Sequence, residues 1–226
     1  MNLRAVAAGC ALAIAGAASP VGTACATGAP ASATSGVAAS APSPTTASAS
    51  AAAASGTTAT DAAGTQAPAA VRAALAQARL QGQGVLRWFG LKIYEARLWT
   101  AGDTLDPARY EQAAFALDLR YARALDGAAI AQASHKEITR LGFGSAEQRA
   151  AWLDAMHRIF PDVTDGDRIT GVHHPERGVA FYRNDVPIGR IDAPGFGRAF
   201  FAIWLDRRTV APDVRNALLG LAGAPR

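Results

Sequence analysis

The sequence predicts an α+β fold, an antiparallel sheet with a layer of helices on one face. Three observations carry this expectation. Short alternating or β-branched segments are joined by brief turns. Two capped amphipathic stretches interrupt them, and a wholly apolar run, Phe200 to Leu205, follows the last strand, as befits an element buried between layers. Composition confines the fold to part of the chain. Of the 44 residues 27–70, all but Val37, Asp61 and Gln66 are Ala, Gly, Ser, Thr or Pro, whereas all 16 aromatic residues lie at or after Trp88. Residues 71–226 are therefore one domain, large enough to bury roughly 70% of its unfolded surface.

The segments before it read as a leader and a linker. Arg4 precedes an apolar stretch, Ala5 to Ala18, too short for the about 20 residues of a spanning helix, so residues 1–26 form an export signal. Ala24-Cys25-Ala26 is the small-residue cleavage pattern; lipidation at Cys25, after Gly22-Thr23-Ala24, is the alternative. The destination is periplasmic or secreted, with membrane attachment only if Cys25 is lipidated. Residues 27–70 have too few large apolar side chains to fold and read as a disordered linker, either a spacer across an envelope or a neutral extension. Both cysteines, Cys10 and Cys25, sit in the leader, which excludes thiol chemistry and cysteine metal sites from the domain.

Within the domain, Val71 to Leu80 reads as a short leading helix. GVLRWFGLKIYEARLW follows, a strand pattern in which Val85, Arg87 and Phe89 share one parity and Gly90 marks a bulge or bend. Phe115 to Arg123 is a strand with Phe115, Leu117, Leu119 and Tyr121 on one face. Asp126 caps a helix ending at Gly142, and Ser145 with Gln148 forms a capping box for a second helix, stopped by Pro161. DRITGVHH, GVAFYR and VPIGRI make a meander with turns at Pro175–Gly178 and Asn184-Asp185. Pro194 opens a third helix carrying FFAIWL, although periodicity leaves a buried strand open there. Pro212 to Leu219 is a fourth, closed by Gly220.

Charge excludes some partners. Residues 71–226 carry 21 basic and 17 acidic residues with no basic run longer than Arg207-Arg208, so neither nucleic acid nor an anionic membrane has a matching stripe. Metal is not expected: His173 and His174 are adjacent on a strand and point to opposite faces, and Asp162, Asp165 and Asp167 lack the spacing of a calcium loop. Glu137 falls among Ile130, Ser134 and Leu141 on the apolar stripe of its helix, where a carboxylate needs a partner. Arg140 or Arg87 could supply it, making Glu137 either a structural ion pair or a polar group lining a cleft. Arg87 shares the parity of Val85 and Phe89, and an inward guanidinium near the Tyr94 phenol would suit a carboxylate or an enolate-like oxygen.

GQGVLRWFGLKIYEARLW, KEITRLG, FPDVTDGDRITGVHHPERGVAFYRNDVPIGRI and FFAIWLDRRTVAPDVRNALLG resemble, in order over roughly residues 82–220, the bacterial chalcone isomerase-like domains. The resemblance implies an open-faced β-sandwich with a ligand cleft between sheet and helices, and no cofactor. It covers plant enzymes that cyclise chalcones and non-catalytic relatives that bind fatty acids, and the bacterial members are similar to the latter. Arg87 falls on the arginine that both branches use for the ligand's oxygen anion. Tyr94 falls near a position that is threonine in the isomerases and tyrosine in the fatty-acid binders. The isomerases' helical tyrosine and asparagine correspond to Ile130 and Glu137. The resemblance therefore implies a domain binding a fatty acid or other small apolar carboxylate through Arg87, Tyr94 and Glu137. The alternatives are an intramolecular lyase using Arg87 and Tyr94, and an envelope interaction module without a ligand.

Overall fold

The structure, a computed structural model, describes residues 66–221; the expected export signal and the linker up to residue 65 lie outside the described residues. Six strands pair antiparallel in chain order: β1 (Arg79–Trp88), β2 (Leu91–Thr100), β3 (Phe115–Tyr121), β4 (Arg168–His174), β5 (Gly178–Arg183) and β6 (Val186–Ile191). Turn chemistry sets two of the hairpins. Phe89 and Gly90 have φ of 46° and 80°, Asn184 and Asp185 of 49° and 69°, so each pair makes the two-residue turn whose twist matches the flanking strands. Gly90 is thus part of the turn and not a bulge. Register shifts fall inside the β1–β2 pairing, at Leu80/Gly82 and Leu86/Arg87, and inside the β5–β6 pairing, at Phe181/Tyr182.

The helices follow their caps. Helix α1 (Ala69–Ala74) is shorter than the expected 71–80 segment. Gln77 takes a left-handed φ of 55°, and Arg79 and Leu80 already pair with Thr100 and Trp99. Helix α2 (Gly127–Leu141) runs from Asp126 to a left-handed Gly142, although the Asp162 side chain, not that of Asp126, accepts from the Gly127 N–H at 2.8 Å. Helix α3 (Ala146–Ile159) starts with the full Ser145–Gln148 capping box. Helix α4 (Phe196–Leu205) settles the apolar run as helical and buries every residue except Arg198. Helix α5 (Pro212–Leu218) packs on β1, where a Cβ on Gly82 would collide with the backbone carbonyls of Ala217 and Leu218.

The main core lies on the sheet face covered by α2, α3, α4 and α5, with Leu98, Phe115, Leu117, Phe181, Phe200 and Phe201 among its members. The other face is not bare. Val71 of α1 and Leu75, just after its C-terminus, pack there on Trp99, Ala116 and Val172, and the Asp185 side chain accepts from the Ala70 N–H at 3.0 Å in the first turn of α1. Next to this patch Asp118, 2% exposed, accepts from Thr170 Oγ1 at 2.7 Å, with Arg168 Nε at 3.8 Å.

Burial pushes the Asp118 carboxyl above its usual range against the opposing effects of Thr170 and Arg168. The native state therefore holds this proton more tightly than the unfolded chain. The Asp118 contribution to stability is complete below the unfolded pKa and is lost as pH rises through the folded value. Asp118→Asn, which keeps the acceptor for Thr170, should compare better with the parent near pH 7 than near pH 3; urea unfolding at the two pH values checks the sign.

Candidate functional site

Between the covered sheet face and the helices lies a cavity of about 90 Å³. The strands contribute Leu86, Ile93, Tyr94, Leu119, Tyr121 and Ile169, and α4 contributes Phe200, Ile203 and Trp204. Helix α2 supplies Ile130, Ala133, Ser134 and Glu137, while Leu125, Phe160 and Pro161 complete the wall. Two consecutive residues of β2, Ile93 and Tyr94, reach it because Leu86 pairs with Tyr94 and Arg87 with Lys92, leaving Ile93 as the extra residue of a bulge.

Most of the polar atoms on the wall are already engaged. Trp204 Nε1 donates to the Tyr94 hydroxyl at 3.0 Å, and the rings of Tyr94 and Tyr121 meet edge to face at 6.0 Å. Burial pushes the Tyr121 phenol up, so it stays neutral. The Ser134 hydroxyl donates to the Ile130 carbonyl at 2.9 Å. Glu137 is different. It is 1% exposed, and its Oε2 accepts from Arg140 Nε at 2.9 Å and lies 2.8 Å from Arg140 Nη2. Its Oε1 is buried with no hydrogen-bond partner among the described residues.

The structure separates the expected site residues. Tyr94 and Glu137 line the cavity together with Ile130, but Arg87 does not. Arg87 is exposed, and its one hydrogen bond among the described residues is a long one, 3.4 Å to the Gly90 carbonyl. It shares the solvent face of β1 with Val85, and Phe89, in the turn that follows, is 87% exposed. The expected inward guanidinium is therefore corrected: the parity holds, but the inward face is that of Gly82, Gly84 and Leu86, because α5 comes down on the glycines. Glu137 accordingly pairs with Arg140 on its own helix. Tyr121, Ser134 and Trp204 are cavity residues that the sequence reading did not assign. Tyr121 and Trp204 sit on core faces whose periodicity does not distinguish a packed wall from an open one.

A family model described as chalcone isomerase-like matches residues 59–220. The chain belongs to the chalcone isomerase-like family. A fatty-acid binding protein of Arabidopsis thaliana is structurally similar, with a TM-score of 0.52 at 12% identity, over 63% of this chain and 86% of that one. At that identity the likeness shows a shared fold. A search of curated proteins finds no match.

In this chalcone isomerase-like domain the Glu137–Arg140 pair joins a buried carboxylate to a guanidinium that remains partly in solvent. Removing only the cation leaves the carboxylate stranded in an apolar wall. Arg140→Ala should cost about 1–3 kcal/mol, and adding Glu137→Leu should recover most of it; chemical denaturation of the two variants checks this.

Proposed function

We propose that this chalcone isomerase-like domain is a non-catalytic binding protein for a small apolar, lipid-like molecule held in the cavity between sheet and helices, and that the chain is exported to the periplasm or beyond. The observation that carries the binding reading is the cavity itself. Aliphatic and aromatic side chains from four strands and two helices converge on a space with few polar groups, the usual makeup of a small-molecule site. The similarity to a protein described as fatty-acid binding supports a ligand of the same apolar kind.

Size narrows the ligand. About 90 Å³ is below the roughly 150 Å³ of a cavity that takes up benzene. A short hydrocarbon group fits the space as it stands, and a longer chain enters only by displacing wall residues. Binding is favoured over cyclisation because no Arg, Lys or His lines the cavity among the described residues, so a developing oxyanion would find no cation there. Ile130 and Glu137 replace the tyrosine and asparagine that the resemblance associates with the isomerases.

Titrating hexan-1-ol into the full chain should shift the methyl resonances of Ile93, Ile130, Ile169 and Ile203 saturably. Ala133→Phe, which fills the cavity from α2, should abolish the response while keeping a dispersed spectrum. Shifts that persist in Ala133→Phe would place the binding elsewhere and sink the reading. Export rests on Arg4, the apolar Ala5–Ala18 stretch and the Ala24-Cys25-Ala26 pattern. N-terminal sequencing of protein from a secreting host should show an extracytoplasmic form starting within or just after that tripeptide; retention of the leader in a cytoplasmic form would count against it.

A further inference from the structure

We infer that the ligand meets Glu137 with a hydrogen-bond donor, as an alcohol does, and that the cavity rejects the fatty carboxylate of the same chain. The inference rests on the cavity-binding reading above and adds the chemistry of the ligand's polar end. Three observations lead to it. Glu137 is 1% exposed and lines the cavity, and its two oxygens are unequal: Oε2 takes both contacts from Arg140, while Oε1 is buried without a partner among the described residues. A buried acceptor with nothing to accept from is costly, and a ligand that donates to it recovers that cost.

The rest of the wall does not offset this bias. No cation lines the cavity among the described residues, and Arg87, the residue expected to hold a carboxylate, lies on the solvent face of β1. Ser134 spends its hydrogen on the Ile130 carbonyl, so what it offers a ligand is a lone pair. The Tyr94 hydroxyl is engaged by the Trp204 N–H, the Tyr121 phenol can donate or accept, and neither supplies the positive charge that would offset the repulsion of a second carboxylate. Glu137 does discriminate, because a ligand carboxylate in this space would face a second carboxylate through a poorly screening medium. An alcohol in the same place donates one hydrogen bond to Oε1, and an ether of equal length cannot.

The test uses the full chain and three six-carbon probes, hexan-1-ol, its isomer 1-methoxypentane and hexanoate, near pH 7.5, read by the isoleucine methyl shifts. Hexan-1-ol should bind at least tenfold tighter than hexanoate and also tighter than the ether. The ether arm matters because simple desolvation would favour the ether over the alcohol. In Glu137→Gln, which keeps the shape but not the charge, the alcohol-to-hexanoate ratio should fall at least fivefold. Hexanoate binding as tightly as hexan-1-ol, the ether matching the alcohol, or a ratio unmoved in Glu137→Gln would each overturn the inference while leaving the cavity reading intact. If none of the probes shifts the methyls, the cavity reading itself fails and takes this inference with it. The ranking in the parent protein decides the matter even if Glu137→Gln does not fold.

Discussion

A helix buried at every position but one has to be enclosed, and enclosing α4 dictates much of the layout of this domain. Phe200 alone has ring neighbours in Phe160, Phe181, Phe196, Phe201 and Trp204, at centroid distances of 5.3 to 6.1 Å. On the adjacent side Phe201 meets Phe115 at 4.6 Å and His173 at 5.7 Å. Full burial of such side chains contributes about 1.5–3 kcal/mol each, so a sheet on one side and α2 and α5 on others is the arrangement that satisfies them. The same helix carries Trp204 into the cavity wall, where its N–H holds the Tyr94 hydroxyl. The element that closes the core is also the one that shapes the site.

Two buried carboxylates show how differently the two faces of the sheet treat charge. Asp118 is flanked by Thr170 and Arg168 on a face where strand side chains alternate polar groups with the small α1 patch. Glu137 sits on a wall that is mostly apolar, and only its Oε2 is served, by an arginine whose Nη2 also donates to the Arg208 carbonyl at 2.8 Å. One carboxylate is integrated into a network and the other is half-completed. That asymmetry leaves Glu137, and not Asp118, with an unpartnered oxygen among the described residues, on a side chain that lines the cavity.

Much of the fold is legible in the sequence because it is set by local chemistry. The Asn184-Asp185 turn, the Ser145–Gln148 box, the Gly142 stop and the alternation of Phe115 to Tyr121 each follow from neighbours a few residues apart. The Glu137 position on an apolar helical stripe is legible for the same reason. The orientation of Arg87 is not, since period-two alternation says which residues share a face and not which face is covered. The covering element is α5, more than a hundred residues away in sequence. Its trace in β1 is the Gly82-x-Gly84 pair, two positions kept empty where a helix backbone approaches. The α1 patch on the opposite face escapes for a related reason, because Val71, Leu75 and Trp99 come together only through the sheet.

The strand order carries a kinetic consequence. Neighbouring strands are consecutive in the chain, so β1 to β3 and β4 to β6 are two meanders built from near-neighbour pairings, with modest loop-closure entropy. One connection differs: the segment from Ala122 to Asp167 holds both α2 and α3 and must close before β3 can meet β4. The cavity lies across that seam, with Tyr94 and Leu119 on one side, Ile169 on the other, and Glu137 on the inserted helix. Its wall is complete only when the two meanders are docked, so the cavity depends on the pairing with the longest sequence separation between consecutive strands of the sheet.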